Sequence, residues 1–298
     1  MCILPDTEAD VEVSHMAGAV VVTGASTGIG RAIALRLAGA GMRVFAGVRR
    51  QEDAESLRGE SPQITPLLLD VTDAASLQAA VSTVEEQVGS AGLSGLVNNA
   101  GISGGSPTEF MELDELRRML EVNVVGIVAT TQAFLPLIRK GRGRIVCIGS
   151  IGGRLAVPFL AAYSMTKAAV SALCDSLRGE LRPWGIHVAL VEPGSIRTPI
   201  WEKGLRELDQ RIGQWPAAAL DLYGDAIPRM RAITEKTASR AIAPDAVAKV
   251  VERALTASRP RTRYVVGADA KMQALVRRVP DRARDAMIAR TIGVPKKG

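Results

Sequence analysis

The chain has 298 residues, 47% of them apolar but only 3% aromatic, and a net charge of +6, enough for one sizeable aliphatic core and too little for two domains unless both are small. Two histidines (His15, His187) and three widely spaced cysteines (Cys2, Cys147, Cys174) argue against a histidine-based metal site, a Ser-His-Asp hydrolase and a disulfide framework, so no metal is expected and the compartment is a reducing, cytoplasmic one. No run of eighteen apolar residues marks a transmembrane helix, and residues 1–16, acidic and without an apolar segment, read as a flexible tail rather than a signal peptide, leaving 17–298 as a single domain.

Short apolar runs then alternate with helical patterns. Ala19–Thr23 is a buried strand, followed by a glycine-rich turn and a helix from about Gly28 to Ala38, ended by Gly39 and Gly41. Met42–Val48 and Ile64–Leu69 are strands two and three, and Ala74–Val88 has helical spacing. Leu93–Val97 is a fourth strand and Leu113–Leu137 a helix with Pro136 near its end. Arg144–Ile148 is a fifth strand, Pro158–Leu181 a long helix, His187–Val191 a sixth strand and Arg263–Val266 a seventh. This alternation predicts an α/β fold, a Rossmann-type doubly wound parallel sheet of about seven strands with helices on both faces.

Two segments depart from the rhythm. Residues 196–243, with Trp201, Trp215, Tyr223 and several prolines and charges, read as a substrate lid at the carboxyl edge of the sheet. An extension over about 269–298 is basic (Lys271, Arg277, Arg278, Arg282, Arg284, Arg290, Lys296, Lys297). It reads as a solvated helix face, with contact to a membrane surface as the alternative. No aromatic-rich basic stripe suggests a nucleic-acid partner.

Thr23-Gly24-Ala25-Ser26-Thr27-Gly28-Ile29-Gly30 joins the first strand to the first helix. Glycines there permit a tight turn and close approach to a pyrophosphate, and the helix N-terminus supplies free N–H groups. The second strand ends in Arg49-Arg50, whereas an NAD(H) site would place a carboxylate near that point for the ribose 2′-hydroxyl. Two guanidiniums suit a 2′-phosphate, so NADP(H) is favoured, with NAD(H) as the alternative. Asp70 and Asn98-Asn99-Ala100-Gly101 follow strands three and four, where cofactor contacts belong; Asp70 also suits a helix cap.

In that order, T23-G-A-S-T-G-I-G30, D70-V71, N98-N-A-G101, N123, S150, Y163-S-M-T-K167 and P193-G194 resemble the short-chain dehydrogenase/reductase family across nearly the whole domain. R142–R154, D175–L181, E192-P-G194 and R259–Y264 resemble its retinol and hydroxysteroid dehydrogenase branch. The resemblance implies hydride transfer between a nicotinamide cofactor and the alcohol or carbonyl of an apolar substrate: a steroid, a retinoid or a long-chain alcohol or ketone.

Reduction of a carbonyl needs a proton donor beside the nascent alkoxide. Tyr163 and Lys167, one helical turn apart, share a face, and the ammonium is expected to stabilise a phenolate, with Tyr163 as acid in reduction and base in oxidation. Ser150 is expected to hold the substrate oxygen. By resemblance, Asn123 holds a water in a proton relay from Lys167, which also bonds the nicotinamide ribose. Val71, Pro193, Gly194, Ile196 and Thr198 join the cofactor contacts, and the long helices, Pro158–Leu181 above all, build a homodimer or homotetramer. The rival readings are an acyl-thioester ketoreductase on the same fold and a non-catalytic dinucleotide-binding sensor.

Overall fold

Seven apolar runs form the strands β1 (Ala19–Val22), β2 (Arg43–Val48), β3 (Ile64–Leu68), β4 (Gly95–Asn98), β5 (Arg144–Ile148), β6 (His187–Pro193) and β7 (Arg263–Val266). They lie in the order β3-β2-β1-β4-β5-β6-β7, with every pairing parallel. The computed structural model describes residues 18–292. The tail at 1–16, with Cys2 and His15, and the end of the extension, with Lys296 and Lys297, lie outside the described residues. In chain order the helices are α1 (Gly28–Gly39), α2 (Gln51–Arg58), α3 (Ala74–Val88), α4 (Leu113–Leu120), α5 (Gly126–Gly141), α6 (Ala161–Leu181), α7 (Ile200–Ile212), α8 (Ala217–Tyr223), α9 (Ile227–Ser239), α10 (Asp245–Thr256), α11 (Ala268–Val276) and α12 (Asp281–Ile292).

Strand alternation divides the core into two layers. Val20, Val22, Val146, Ile148, Ala189 and Val191 face Ile33 and Leu37 of α1, Leu57 of α2 and Val247 and Val251 of α10. Ala19, Val21, Ile145, Cys147, Val188 and Leu190 face Leu77 of α3, Phe134 and Ile138 of α5 and Val170 and Cys174 of α6. The strand order reverses between β1 and β4, and parallel strands send their following loops to one edge. The switch point there is where a doubly wound sheet opens a crevice for a ligand.

Several boundaries differ from the sequence expectation, and the larger differences have tertiary reasons. Strand four starts at Gly95, because the Leu93 N–H is taken by the Leu137 carbonyl at 2.9 Å. The sixth strand runs on to Pro193, because Glu192 and Pro193 pair with Val265 and Val266. Phe159 has φ +70°, outside the helical region, so the long helix begins at Ala161 rather than Pro158. Helices α4 and α5 form one helix through a π-turn at Glu121–Val125, which carries the buried Asn123.

That combined helix, Leu113–Gly141, is long and apolar enough to cross a membrane by length and composition, with a mean hydropathy of 1.4 in its best window. Its apolar face instead packs on the sheet: Ile127, Phe134, Leu137 and Ile138 are buried in the core shared with α3 and β4. Helix α10, not recognised from the sequence, covers α1, where Arg36 bonds Asp245 at 2.8 Å and also pairs with Glu252.

Segment 196–243 folds into α7, α8 and α9. Arg211 bonds the Gly105 carbonyl at 3.1 Å and Glu115 at 2.7 Å, and the Tyr223 hydroxyl donates to Glu109 at 2.9 Å. These bonds fasten α7 and α8 to the segment that follows β4 and to α4. Helix α12 packs on α9, and Ile288 and Ile292 join Phe159, Tyr223, Met230 and Ile233 in a separate apolar cluster.

Candidate active site

The turn after β1 can form only because two positions lack a side chain. Gly24 holds φ +64°, and a Cβ at Gly30 would lie 2.1 Å from the Gly24 carbonyl oxygen. Asn99 locks the turn from β4: its Nδ2 donates to the Thr23 and Gly24 carbonyls at 2.9 and 3.0 Å. The backbone N–H groups of Asn99 and Ala100 both donate to Thr23 Oγ1 at 3.0 Å. Expected as cofactor contacts, Asn99 and Ala100 here bond the turn itself. The N-cap Thr27 makes no side-chain cap and the first turn of α1 carries no acid, so N–H groups at that end face outward without a side-chain acceptor. Ser26 and Ile29 are half-buried beside them. Thr198 closes over Gly28, where a Cβ would lie 2.9 Å from its Cγ2. An uncapped helix end behind a tight glycine turn fits a pyrophosphate.

The two arginines after β2 are not equivalent. Arg50 bonds Asp53 at 2.9 and 3.0 Å and Glu52 at 2.7 Å, whereas Arg49 is exposed and makes no ion pair among the described residues. The charge of Arg49 reaches Asp70, whose carboxyl accepts from the Thr72 N–H at 3.0 Å and the Thr72 hydroxyl at 2.7 Å. Burial disfavours ionised Asp70, but those bonds and Arg49 together hold its carboxyl below the usual range. The cap of α3 is Asp73, not Asp70. Val71 is buried against Gly126 of α5.

Ser150, Tyr163, Lys167 and Asn123 come together beside Gly101. Ser150 and the Tyr163 ring both border Gly152, and Ser150 Oγ accepts from the Gly152 N–H at 3.1 Å. Lys167 Nζ donates to the Ile148 carbonyl at 2.9 Å and lies 5.8 Å from the centre of the Tyr163 ring. Burial lowers its pKa to about 8. Burial raises the pKa of Tyr163, and the neighbouring Ser150 hydroxyl works against that rise. Asn123 accepts from the Ile102 N–H at 2.8 Å and donates to the Ile102 carbonyl at 2.8 Å and to Thr166 Oγ1 at 3.0 Å. Both of its amide hydrogens are engaged, so a water at Asn123 has to donate to it.

At the end of β6, the Gly194 N–H bonds the Val266 carbonyl at 2.9 Å and the Ser195 N–H bonds Asp269 at 2.7 Å. Ile196 is buried, and its carbonyl accepts from Trp201 Nε1 at 2.7 Å. Three residues here had no role assigned from the sequence. Asp269 clamps the 194–195 turn, while the buried Glu192 takes Arg154 as a bidentate partner, with Nε at 2.7 Å and Nη2 on the other oxygen. Arg154 follows Ser150, and Glu192 precedes Pro193-Gly194, so the pair ties the serine loop to the loop after β6. Glu192-Pro193 and Gly267-Ala268-Asp269 sit at strand ends; that position was the available signal.

A sequence model of the family described as short chain dehydrogenase matches residues 18–208. Retinol dehydrogenase 5 of Homo sapiens is 39% identical over 262 residues, covering 85% of this chain and 81% of that protein. The 17-beta-hydroxysteroid dehydrogenase type 6 of Bos taurus is 39% identical over 268 residues, covering 87% and 84%. Among solved structures, a short chain dehydrogenase from Burkholderia cenocepacia in complex with NADP superposes with a TM-score of 0.71 at 25% identity, covering 93% of this chain and 99% of that one.

The ion pair between the two loops gives a stability test. Arg154→Met leaves Glu192 buried with Arg263 at 3.7 Å as its remaining cation among the described residues. Unfolding in urea should then show a loss on the order of 3 kcal/mol. A loss below about 0.5 kcal/mol would mean that Arg263 alone neutralises the carboxylate.

Proposed function

The chain belongs to the short chain dehydrogenase family, and we propose that it interconverts the alcohol and the carbonyl of an apolar substrate, a steroid, retinoid or long-chain alcohol or ketone, with NADP(H) preferred over NAD(H). It is a nicotinamide-dependent oxidoreductase. The observation that carries the proposed chemistry is the Tyr163 phenol beside Ser150, one helical turn from the buried Lys167.

The bound nicotinamide supplies or accepts the hydride, and this chain's residues do the rest. In reduction the Tyr163 hydroxyl donates its proton to the carbonyl oxygen; in oxidation Tyr163 takes it back. Ser150 bonds the same oxygen and steadies the charge developing on it. Lys167 uses one of its three N–H donors on Ile148, which leaves two for the phenol side and for a ribose hydroxyl. Asn123 holds the Ile102 backbone and Thr166, and so fixes the wall behind Lys167.

Arg49 is the better candidate for the 2′-phosphate, since its guanidinium is exposed and unpaired with any carboxylate among the described residues. Arg50 is itself exposed, and its pairs with Glu52 and Asp53 are weak enough for it to serve as a second contact. An apolar substrate is supported by the cluster of Phe159, Tyr223, Met230 and Ile233, which joins α8 and α9 to the loop that runs from Ser150 to Tyr163. The names of the retinol- and steroid-acting relatives point the same way.

Three outcomes test this reading. Tyr163→Phe keeps the ring and removes the proton, so kcat should fall by about 10² or more with the Kd for NADPH nearly unchanged; an active variant refutes the role. The Lys167 charge is fully present below its pKa of about 8 and is lost above it. Because Tyr163 stays protonated there, kcat/KM for carbonyl reduction should decline as pH rises through that value. A profile flat from about pH 7 to 9 would remove the ammonium from the mechanism. Finally, Arg49→Ala should weaken NADPH about tenfold or more while barely affecting NADH, and Arg50→Ala should do less; equal effects on the two cofactors would defeat 2′-phosphate recognition.

A further inference from the structure

The edge of the sheet opposite Tyr163, where the strands begin, carries two adjoining clefts that share Gly185. One, of about 170 Å³, is bordered by Arg178, Arg182, His187 and Arg261. The other, of about 540 Å³, is bordered by Arg139, Arg142 and Trp184. Five arginines line the pair and, among the described residues, no carboxylate does. Arginines without carboxylate partners on one stretch of surface leave it with a positive potential that draws anions.

The surroundings are fixed rather than loose. Arg142 caps α5 with φ +49°, and Gly185 turns the chain with φ +68° into β6. The Arg261 N–H is bonded to the hydroxyl of the buried Tyr264 at 2.8 Å. The Arg139 guanidinium stacks on the Trp184 ring at 4.6 Å, and that indole is 51% exposed. Of the five, Arg178 has a carboxylate partner, Asp175, which it shares with Arg263; its Nη1 is buried and lacks a hydrogen-bond partner. Arg142, Arg182 and Arg261 are exposed and make no ion pair among the described residues.

We propose that this double cleft is a second ligand site, which binds a phosphate or diphosphate group of a small polyanion. Arginine forks match phosphate oxygens two at a time, and the indole offers an apolar face for whatever the phosphate is attached to. The site is separate from the dinucleotide turn: the two lie at opposite ends of the parallel strands, so both can be filled at once.

The probe is pyrophosphate, titrated at constant ionic strength into protein already saturated with NADP⁺, so that the dinucleotide turn is blocked. Tryptophan fluorescence and the melting temperature are read together. Saturable changes in both are expected, about tenfold weaker in the double variant Arg182→Gln, Arg261→Gln. Arg290→Gln, an exposed arginine elsewhere, should bind as the parent does. Trp184→Phe should lose the fluorescence change and keep the thermal shift. No saturable response in the parent, or equal affinity in the double variant, overturns the site. Sedimentation with phosphatidylcholine vesicles, with and without phosphatidic acid, then separates the sources. Co-sedimentation that needs phosphatidic acid and fails in the double variant assigns the phosphate to a lipid headgroup. Pyrophosphate binding without co-sedimentation assigns it to a soluble ligand.

Discussion

Lys167 enters the protein interior to reach the Ile148 carbonyl at the end of β5. An ammonium taken out of water is disfavoured, which is why its pKa falls to about 8, and the hydrogen bond recovers part of that cost. The bond has a geometric consequence. It pins α6, which carries Tyr163, to the strand whose next residues are Gly149 and Ser150. The loop from Ile151 to Gly153 then lies flat on α6, so close that a Cβ at Gly153 would sit 2.7 Å from the Lys167 carbonyl carbon. Ser150 and Tyr163 are therefore held beside each other by rigid elements, not by two mobile loops.

The same device recurs along the carboxyl edge of the sheet. A buried or half-buried polar side chain from one element holds a loop that belongs to another. Asn99 holds the turn after β1, Asn123 holds the loop after β4, Asp269 holds the turn after β6 and Arg154 with Glu192 joins the loops after β5 and β6. Loops at such an edge present backbone N–H and C=O groups that the sheet cannot satisfy, and each clamp answers that need while it sets a position. The apolar core below contributes the folding free energy but has no directional preference. The clamps convert a stable sheet into a shaped crevice.

The sheet was legible in the sequence because a parallel strand buried on both faces leaves a continuous apolar run. All seven runs are strands, and the glycine turn, Ser150, Tyr163 and Lys167 lie on the loop edge that strand order assigns them. Less legible were partners far apart in the chain: Arg154 meets Glu192 across 38 positions and Ser195 meets Asp269 across 74. A charged residue at a strand end looks solvated until the fold supplies its partner. Helix α10 left a local signal, Pro244-Asp245 followed by Val247, Val251 and Leu255 at helical spacing, but it was masked by the irregular segment before it. The π-turn had no signal of its own, because Glu121–Val125 continues the helical pattern and the extra residue shows only in the backbone.

The raised pKa of Tyr163 bears on the direction of the reaction. A phenol above its ordinary value keeps its proton across the physiological range and makes a ready donor but a poor base. In the reduction proposed above, the donor is therefore protonated before substrate arrives, and Ser150 would share the carbonyl oxygen. In oxidation Tyr163 has to lose its proton first, inside a buried site that penalises the phenolate. An oxidised nicotinamide bound beside Tyr163 would supply a positive charge that the reduced form lacks, and that charge would favour the phenolate. Burial thus favours the protonated phenol that the proposed reduction uses, and the proposed oxidation has to work against it.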